Sequence, residues 1–149
     1  IKRNKKFAKR NVATKSFQAI RVFVNSEVSE LVKGLIEATK LLNPGGLLIV
    51  VSFHSLEDKI VKYFFKTYSE RMKNPSRYVP KQDKEDERLF DCPEKKALNP
   101  SNKEILTNSP SRSAKLRYGI RNDKKYFFPE ELTEKFKNYL EIEKIDLQL

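Results

Sequence analysis

Five of the seven residues from Ser52 to Asp58 carry side chains that can hold or move a proton: Ser52, His54, Ser55, Glu57 and Asp58. They follow directly on the apolar run Leu47-Leu48-Ile49-Val50-Val51. Histidine changes charge near neutral pH. Beside hydroxyls and carboxylates it can accept or relay a proton in a transfer reaction. Ser52, His54, Ser55 and Asp58 are therefore the candidate catalytic residues. The plainer alternative is structural. Ser55 is a good helix N-cap with Asp58 three residues later, both acids would sit in the positive first turn, and His54 would only pack.

The second kind of chemistry is electrostatic. Residues 1–16 hold seven basic side chains (Lys2, Arg3, Lys5, Lys6, Lys9, Arg10 and Lys15), and the first acid is Glu27. Such an arm can hold phosphates, with Phe7 stacking on a base and Arg21 extending the patch. A second cluster comprises Arg112, Lys115, Arg117 and Arg121. Arg117 could face a phosphate or pair with an acid. The whole chain, 149 residues, carries 31 basic against 20 acidic groups, a net +11. That balance points to a polyanionic partner, nucleic acid or an anionic membrane face.

Other classes are excluded. No apolar run nears the ~18 residues needed to cross a bilayer. The charged N-terminus has no apolar stretch behind it, so it is not a secretory signal. Cys92 is the only cysteine and His54 the only histidine, which rules out an intrachain disulfide and leaves no zinc site. A reducing, cytoplasmic location is expected. There is no initiator Met, so the chain is expected to begin inside a longer protein or to be a processed piece.

The elements that must position these residues follow from periodicity. Phe17, Ile20, Val24, Val28, Leu31, Leu35, Ala38 and Leu42 recur every three or four residues. They predict one helical stripe over residues 14–42, with a possible break at Asn25-Ser26. Asn43-Pro44-Gly45-Gly46 ends it. Leu47 to Phe53 reads as a strand buried on both faces, as in parallel sheets. Ser55 opens a helix whose apolar side is Ile60, Val61, Phe64, Phe65, Tyr68 and Met72. Residues 73–96 read as a long loop, and Lys96 to Leu106 as a short strand. Ser113 to Arg121 alternates and reads as an antiparallel strand near an edge, its charged side toward solvent. Pro129 to Leu140 reads as a terminal helix with Leu132, Phe136, Tyr139 and Leu140 as its stripe. Helix, turn, buried strand and helix in that order make an α/β protein.

Three segments together resemble one family. They are Thr14-Lys15-Ser16-Phe17-Gln18-Ala19-Ile20-Arg21-Val22-Phe23-Val24-Asn25, the stretch from Asn43-Pro44-Gly45-Gly46 through Ser52-Phe53-His54-Ser55-Leu56-Glu57-Asp58 to Lys62, and Asn108-Ser109-Pro110-Ser111-Arg112-Ser113-Ala114-Lys115-Leu116-Arg117. Residues 8–122 thereby resemble the 16S ribosomal RNA cytosine-N4 methyltransferase family. The resemblance implies a doubly wound, Rossmann-like sheet of seven strands, of which this chain holds the last three. Residues 1–16 would end a helical RNA-recognition insertion, 17–122 would be the C-terminal half of the methyltransferase domain, and 123–149 a helical extension. It implies S-adenosylmethionine as cofactor and small-subunit ribosomal RNA, or the 30S particle, as partner. The reaction implied is methyl transfer to the exocyclic amine of cytosine, a poor nucleophile that must be held in line with the methyl group. The RNA contacts implied are Lys5, Lys6, Phe7, Lys9, Arg10, Lys15, Arg21, Arg112 and Arg117. The family's glycine-rich loop and ribose-binding acid are absent. Gly45-Gly46 precedes a strand rather than joining strand to helix, so no cofactor-binding residue is assigned here and the chain alone is expected to be inactive. The competing expectation is a non-catalytic RNA-binding module or a ribosome-assembly scaffold.

Overall fold

The computed structural model describes residues 12–69 and 88–144, with side chains from Ser16 onward. The single long helix expected from periodicity is two: α1, Val12–Val24, and α2, Glu27–Leu41. Asn25-Ser26 parts them, with Ser26 in the left-handed region at φ 49°. For a residue with a β-carbon that conformation costs about 1 kcal/mol or more. It redirects the chain without a glycine.

After a turn in which Gly45 takes φ 82°, β1 (Leu47–Ser52) runs into α3 (Ser55–Ser69). Next come β2 (Phe90–Asp91), α4 (Asn102–Thr107), a short 3-10 turn at Ser109–Ser113, and β3 (Lys115–Arg121). The expected terminal helix is split at Phe136 into α5 (Glu130–Lys135) and α6 (Lys137–Lys144). The strand expected at Lys96–Leu106 is not one. Its second half is α4, capped by the Ser101 hydroxyl, which accepts from the Glu104 N–H at 3.1 Å. Only Leu98 pairs with the sheet, opposite Leu116.

The sheet order is β1-β3-β2, both pairs antiparallel, with Leu47 opposite Ile120 and Ser52 opposite Lys115. The chain is thus an α/β protein, and β3 is its middle strand rather than an edge. Directly opposed residues share a face. One face carries Leu48, Val50, Ser52, Lys115, Arg117, Gly119 and Arg121. Helix α3 packs there, so closely that a β-carbon at Gly119 would lie 2.8 Å from the Phe65 ring. Behind it the core joins Ile60, Val61, Phe64, Phe65 and Tyr68 of α3 to Val28, Val32, Leu35 and Ile36 of α2, with Leu89, Phe90, Leu132 and Phe136. Phe64 meets Phe65, Tyr68 and Phe90 with ring centroids 5.3–5.6 Å apart.

The other face carries Leu47, Ile49, Val51, Leu116, Tyr118 and Ile120. Leu47, Ile49 and Val51 are each about half exposed. The expectation of a strand buried on both faces is therefore corrected: β1 alternates, and its open side is the apolar one. The expectation for β3 is corrected in the opposite sense, because its charged side is the covered one. On α1, the stripe residues Phe17, Ile20 and Val24 are likewise exposed, and Val22 is the buried position. No helix among the described residues is long and apolar enough to cross a membrane.

Candidate functional site: the turn at the carboxyl end of β1

Strand β1 delivers Ser52, Phe53 and His54 to the point where α3 begins, the end of a strand at which open α/β sheets bind their ligands. His54, not Ser55, caps the helix. Its carbonyl accepts the first helical bond from the Asp58 N–H at 3.1 Å. Its ring Nδ1 accepts from the Glu57 N–H at 3.5 Å. Glu57 Oε2 reaches back to accept from the N–H groups of Phe53 at 2.9 Å and His54 at 3.3 Å. This is a reciprocal capping box with histidine in the place usually taken by Ser, Thr, Asp or Asn. Ser55 is the exposed first residue of α3.

The far nitrogen of the same ring meets two acids. Nε2 lies 3.0 Å from Glu57 Oε1 and 3.5 Å from Glu27 Oε2, although neither oxygen lies well along the N–H direction. Glu27, at the start of α2, is gripped from behind. Arg21 of α1 approaches both its oxygens, at 2.8 and 3.0 Å, and the Asn25 amide adds a contact at 3.3 Å. Burial pushes the Glu27 carboxyl up, but the bonds from Arg21 and Asn25, the Arg21 charge and the nearby His54 ring outweigh it and hold it below its usual range.

Glu27, His54 and Glu57 bring their ligand atoms within 4.8 Å of one another, close enough to consider a cation. The hydrogen-bond geometry argues for a proton instead. A bare lone pair on Nε2 would face two anions, so something positive belongs there. A metal on Nε2 would leave the ring proton on Nδ1, pointed at the Glu57 N–H, a donor against a donor. A proton on Nε2 turns a donor toward the two carboxylates and leaves Nδ1 to accept from the Glu57 N–H, and the tautomer is assigned on that ground.

Asp58 is spoken for on the other side of the turn. Its carboxylate takes the Lys115 ammonium at 2.8 Å and the Arg117 Nε at 2.9 Å. Burial raises its pKa, while these bonds and charges prevail and lower it. Ser52 is buried, its hydroxyl donating to the Lys115 carbonyl at 3.4 Å.

Three of the four candidate catalytic residues thus face inward: Ser52, His54 and Asp58. Ser55 opens to solvent beside Phe53, a half-exposed aromatic. The basic cluster divides too. Arg117 and Lys115 serve Asp58. Arg121 is buried, its Nη atoms donating to the carbonyls of Leu89, Asn122 and Lys124 and to the Asn122 side chain. Arg112 is exposed, donating to the Ser109 carbonyl. Arg21 is more than half exposed while holding Glu27. Lys5, Lys6, Phe7, Lys9 and Arg10 lie outside the described residues, as does Met72, and the Lys15 side chain is not described.

Sequence reading missed Glu27 and Glu143. Glu27 reads as an ordinary first-turn acid of a helix, and nothing in spacing ties it to His54. Glu143 of α6 is buried and caps α2 from a distance. It accepts from the N–H groups of Val28 at 3.1 Å and Ser29 at 2.8 Å, and from the Ser29 hydroxyl. Beside it an apolar cavity of about 290 Å³ opens between α1 and α6, with Val22, Phe23, Leu56 and Ile142 among its walls. Its one carboxylate is engaged by α2, so it offers no free acid to a ribose. Cys92 is half-buried, and burial foremost pushes its thiol up. That is the environment of an inert rather than a reactive thiol.

Comparison with known proteins matches the residues on which this turn is built. The model of the MraW methylase family matches residues 1–121. The chain is 46% identical over 116 residues to ribosomal RNA small subunit methyltransferase H of Hyphomonas neptunium, covering 78% of this chain and 34% of that protein. It is 49% identical over 111 residues to the protein of the same name from Cereibacter sphaeroides, covering 74% and 33%. With that of Methylobacterium nodulans it shares 47% over 121 residues, covering 81% and 35%. The chain thus spans about a third of the length of the curated relatives it matches. It belongs to the MraW methylase family.

Proposed function

We propose that this chain is the C-terminal part of an S-adenosylmethionine-dependent enzyme that methylates the exocyclic N4 amine of a cytosine in small-subunit ribosomal RNA. The half that binds the cofactor lies outside these 149 residues. What supports the reaction is the family match; what supports a part lying outside this chain is the bare face of the sheet. Leu47, Ile49, Val51 and Ile120 stand in solvent beside the turn at the end of β1, and among the described strands nothing pairs with the outer edge of β1. Soluble proteins seldom leave such a patch or edge open. Covering half-exposed side chains of this size would contribute on the order of 1 kcal/mol each.

The cofactor supplies an electrophilic methyl group on a sulfonium. The described residues offer it no cradle: Glu27, Glu57 and Asp58 are each engaged by cations or backbone N–H groups, and no glycine-rich strand-to-helix turn is present. This chain's own contribution is a rigid turn, fixed by the His54–Glu57 capping box, that presents Phe53 and Ser55 where the base must lie. The basic arm supplies Lys5, Lys6, Phe7, Lys9, Arg10 and Lys15, with Arg21 and Arg112, to RNA in a cytoplasmic 30S particle or its precursor. Arg117 acts indirectly, through Asp58.

Calorimetric titration tests the division of labour. S-adenosylmethionine added to the 149-residue chain should give no heat beyond dilution. The chain joined to an upstream segment with a strand and glycine-rich turn should bind it and methylate small-subunit RNA. Micromolar binding by the chain alone overturns the reading. RNA binding without methyl transfer in the joined protein would favour a non-catalytic RNA module.

A further inference from the structure

We propose that Glu27 is a positioning residue: it holds the His54 ring, and through it the Phe53–His54 turn, in the orientation that methyl transfer requires. This rests on the reaction being placed at that turn, as above.

Three observations converge. First, Glu27 begins α2, where an acid ordinarily complements its own helix. Here that duty is performed by Glu143, whose carboxylate takes the Val28 and Ser29 N–H groups. Glu27 is left free to turn outward. Second, the chain adopts a left-handed serine immediately before it. Backbone strain of this kind persists where the surroundings over-determine it. Here it sets the entry of α2, whose first residue meets His54. Third, the Glu27 carboxylate is fixed by two-point contact with Arg21 and by Asn25, and it meets the Nε2 side of a ring whose Nδ1 is held by the Glu57 N–H. The ring is thereby held at Nδ1 by a hydrogen bond and faced at Nε2 by two carboxylates. Its backbone N–H and that of Phe53 are tied to Glu57 in the same motif.

Arg21, Glu27, His54 and Glu57 form one contiguous path from α1 across α2 to α3. Arg21 also keeps more than half its side chain in solvent. A phosphate can therefore approach its guanidinium while the contact with Glu27 stays in place. RNA bound along α1 would rest on the same side chain that orients the turn.

The test uses Glu27→Gln, with two readouts. His54 is the only histidine, so its ring nitrogens can be followed by nitrogen-15 NMR without assignment ambiguity. In the wild-type chain the proton should sit on Nε2, and Glu27→Gln should move the Nε2 resonance. In the chain joined to its cofactor half, kcat for transfer to small-subunit RNA should fall roughly 10- to 100-fold, as misplacement of a turn beside the reacting atoms does. KM for RNA should stay near wild type, and Tm should fall only slightly, by the small contribution of the partly exposed Arg21–Glu27 pair. His54→Asn keeps a capping acceptor and loses the Nε2 contact. Adding Glu27→Gln to it should cost nothing more, because both changes break one link. A ring resonance that ignores Glu27→Gln overturns the inference, as does a kcat loss that tracks Tm or multiplies with His54→Asn. Absence of methyl transfer in the wild-type joined protein would instead sink the function proposed above.

Discussion

The two faces of the three-stranded sheet carry opposite chemistry and meet opposite fates. The face holding Lys115, Arg117 and Arg121 is covered by helix α3, and its charges are met by Asp58 and by backbone carbonyls, although the Arg121 Nε is left without a partner among the described residues. The face holding Leu47, Ile49, Val51, Leu116, Tyr118 and Ile120 has no layer above it among the described residues. Alternation alone therefore does not say which side of a strand is inside. Charge goes inside when a buried acid and spare carbonyls wait for it, and an apolar side stays outside where no described element packs on it.

The largest effect that would sharpen this contrast is on the covered side. Phe64→Ala removes a ring with no exposed surface that touches three other aromatics. It should cost about 3–5 kcal/mol in a urea melt. A loss below about 1 kcal/mol would mean that the core is not where it is drawn. Asp58→Ala leaves Lys115 and Arg117 without their anion and should cost about 2–3 kcal/mol, tempered by the partial exposure of Lys115. The acid limb of stability follows from the same pair. Asp58 and Glu27 have lowered folded-state pKa values. Their contribution is complete above the ordinary carboxylate value near 4 and is lost as pH falls through the lowered ones. Melts from pH 7 to 2 should show stability falling below about pH 4, and less steeply in Asp58→Ala.

Capping gives a smaller, directional effect. His54→Ala should cost about 1 kcal/mol, and Ser55→Ala within about 0.5 kcal/mol. The reverse order would return the cap to Ser55. The smallest effect belongs to the bare face. Ile49→Ser should change the stability of this chain by no more than about 0.5 kcal/mol while raising its solubility. In the chain joined to its upstream half the same change should cost about 2 kcal/mol, because Ile49 would then be buried. Equal costs in the two contexts would show that this face is not covered there.

Local structure was legible where one residue decides it. Pro44-Gly45-Gly46 ends a helix by sterics, and the stripe Ile60, Val61, Phe64, Phe65 and Tyr68 is buried as its spacing requires. The family was legible too, because the string from Ser52 to Asp58 is specific. Tertiary choices were not. The burial of β1 was misread because a continuous apolar run cannot reveal whether a second layer lies within the same chain. The cap was misread because Ser55 and Asp58 match the usual residue preferences, whereas the box is built by His54 and Glu57, one residue earlier in register. Glu27 and Glu143 were missed because their partners are brought to them by packing across α2, α3 and α6, and no periodicity encodes a contact between distant elements.

The Glu143 contact bears on the order in which the chain can fold. Val28 and the carboxylate that satisfies it are 115 residues apart. During synthesis at about 5–20 residues per second, the first turn of α2 waits roughly ten seconds for its acceptor to leave the ribosome. Until then its N–H groups can bond only to water, and closing so long a loop is slow compared with forming the helices themselves. Shortening the chain before residue 143 would leave a nascent protein whose helices form yet whose α2 never gains its Glu143 latch.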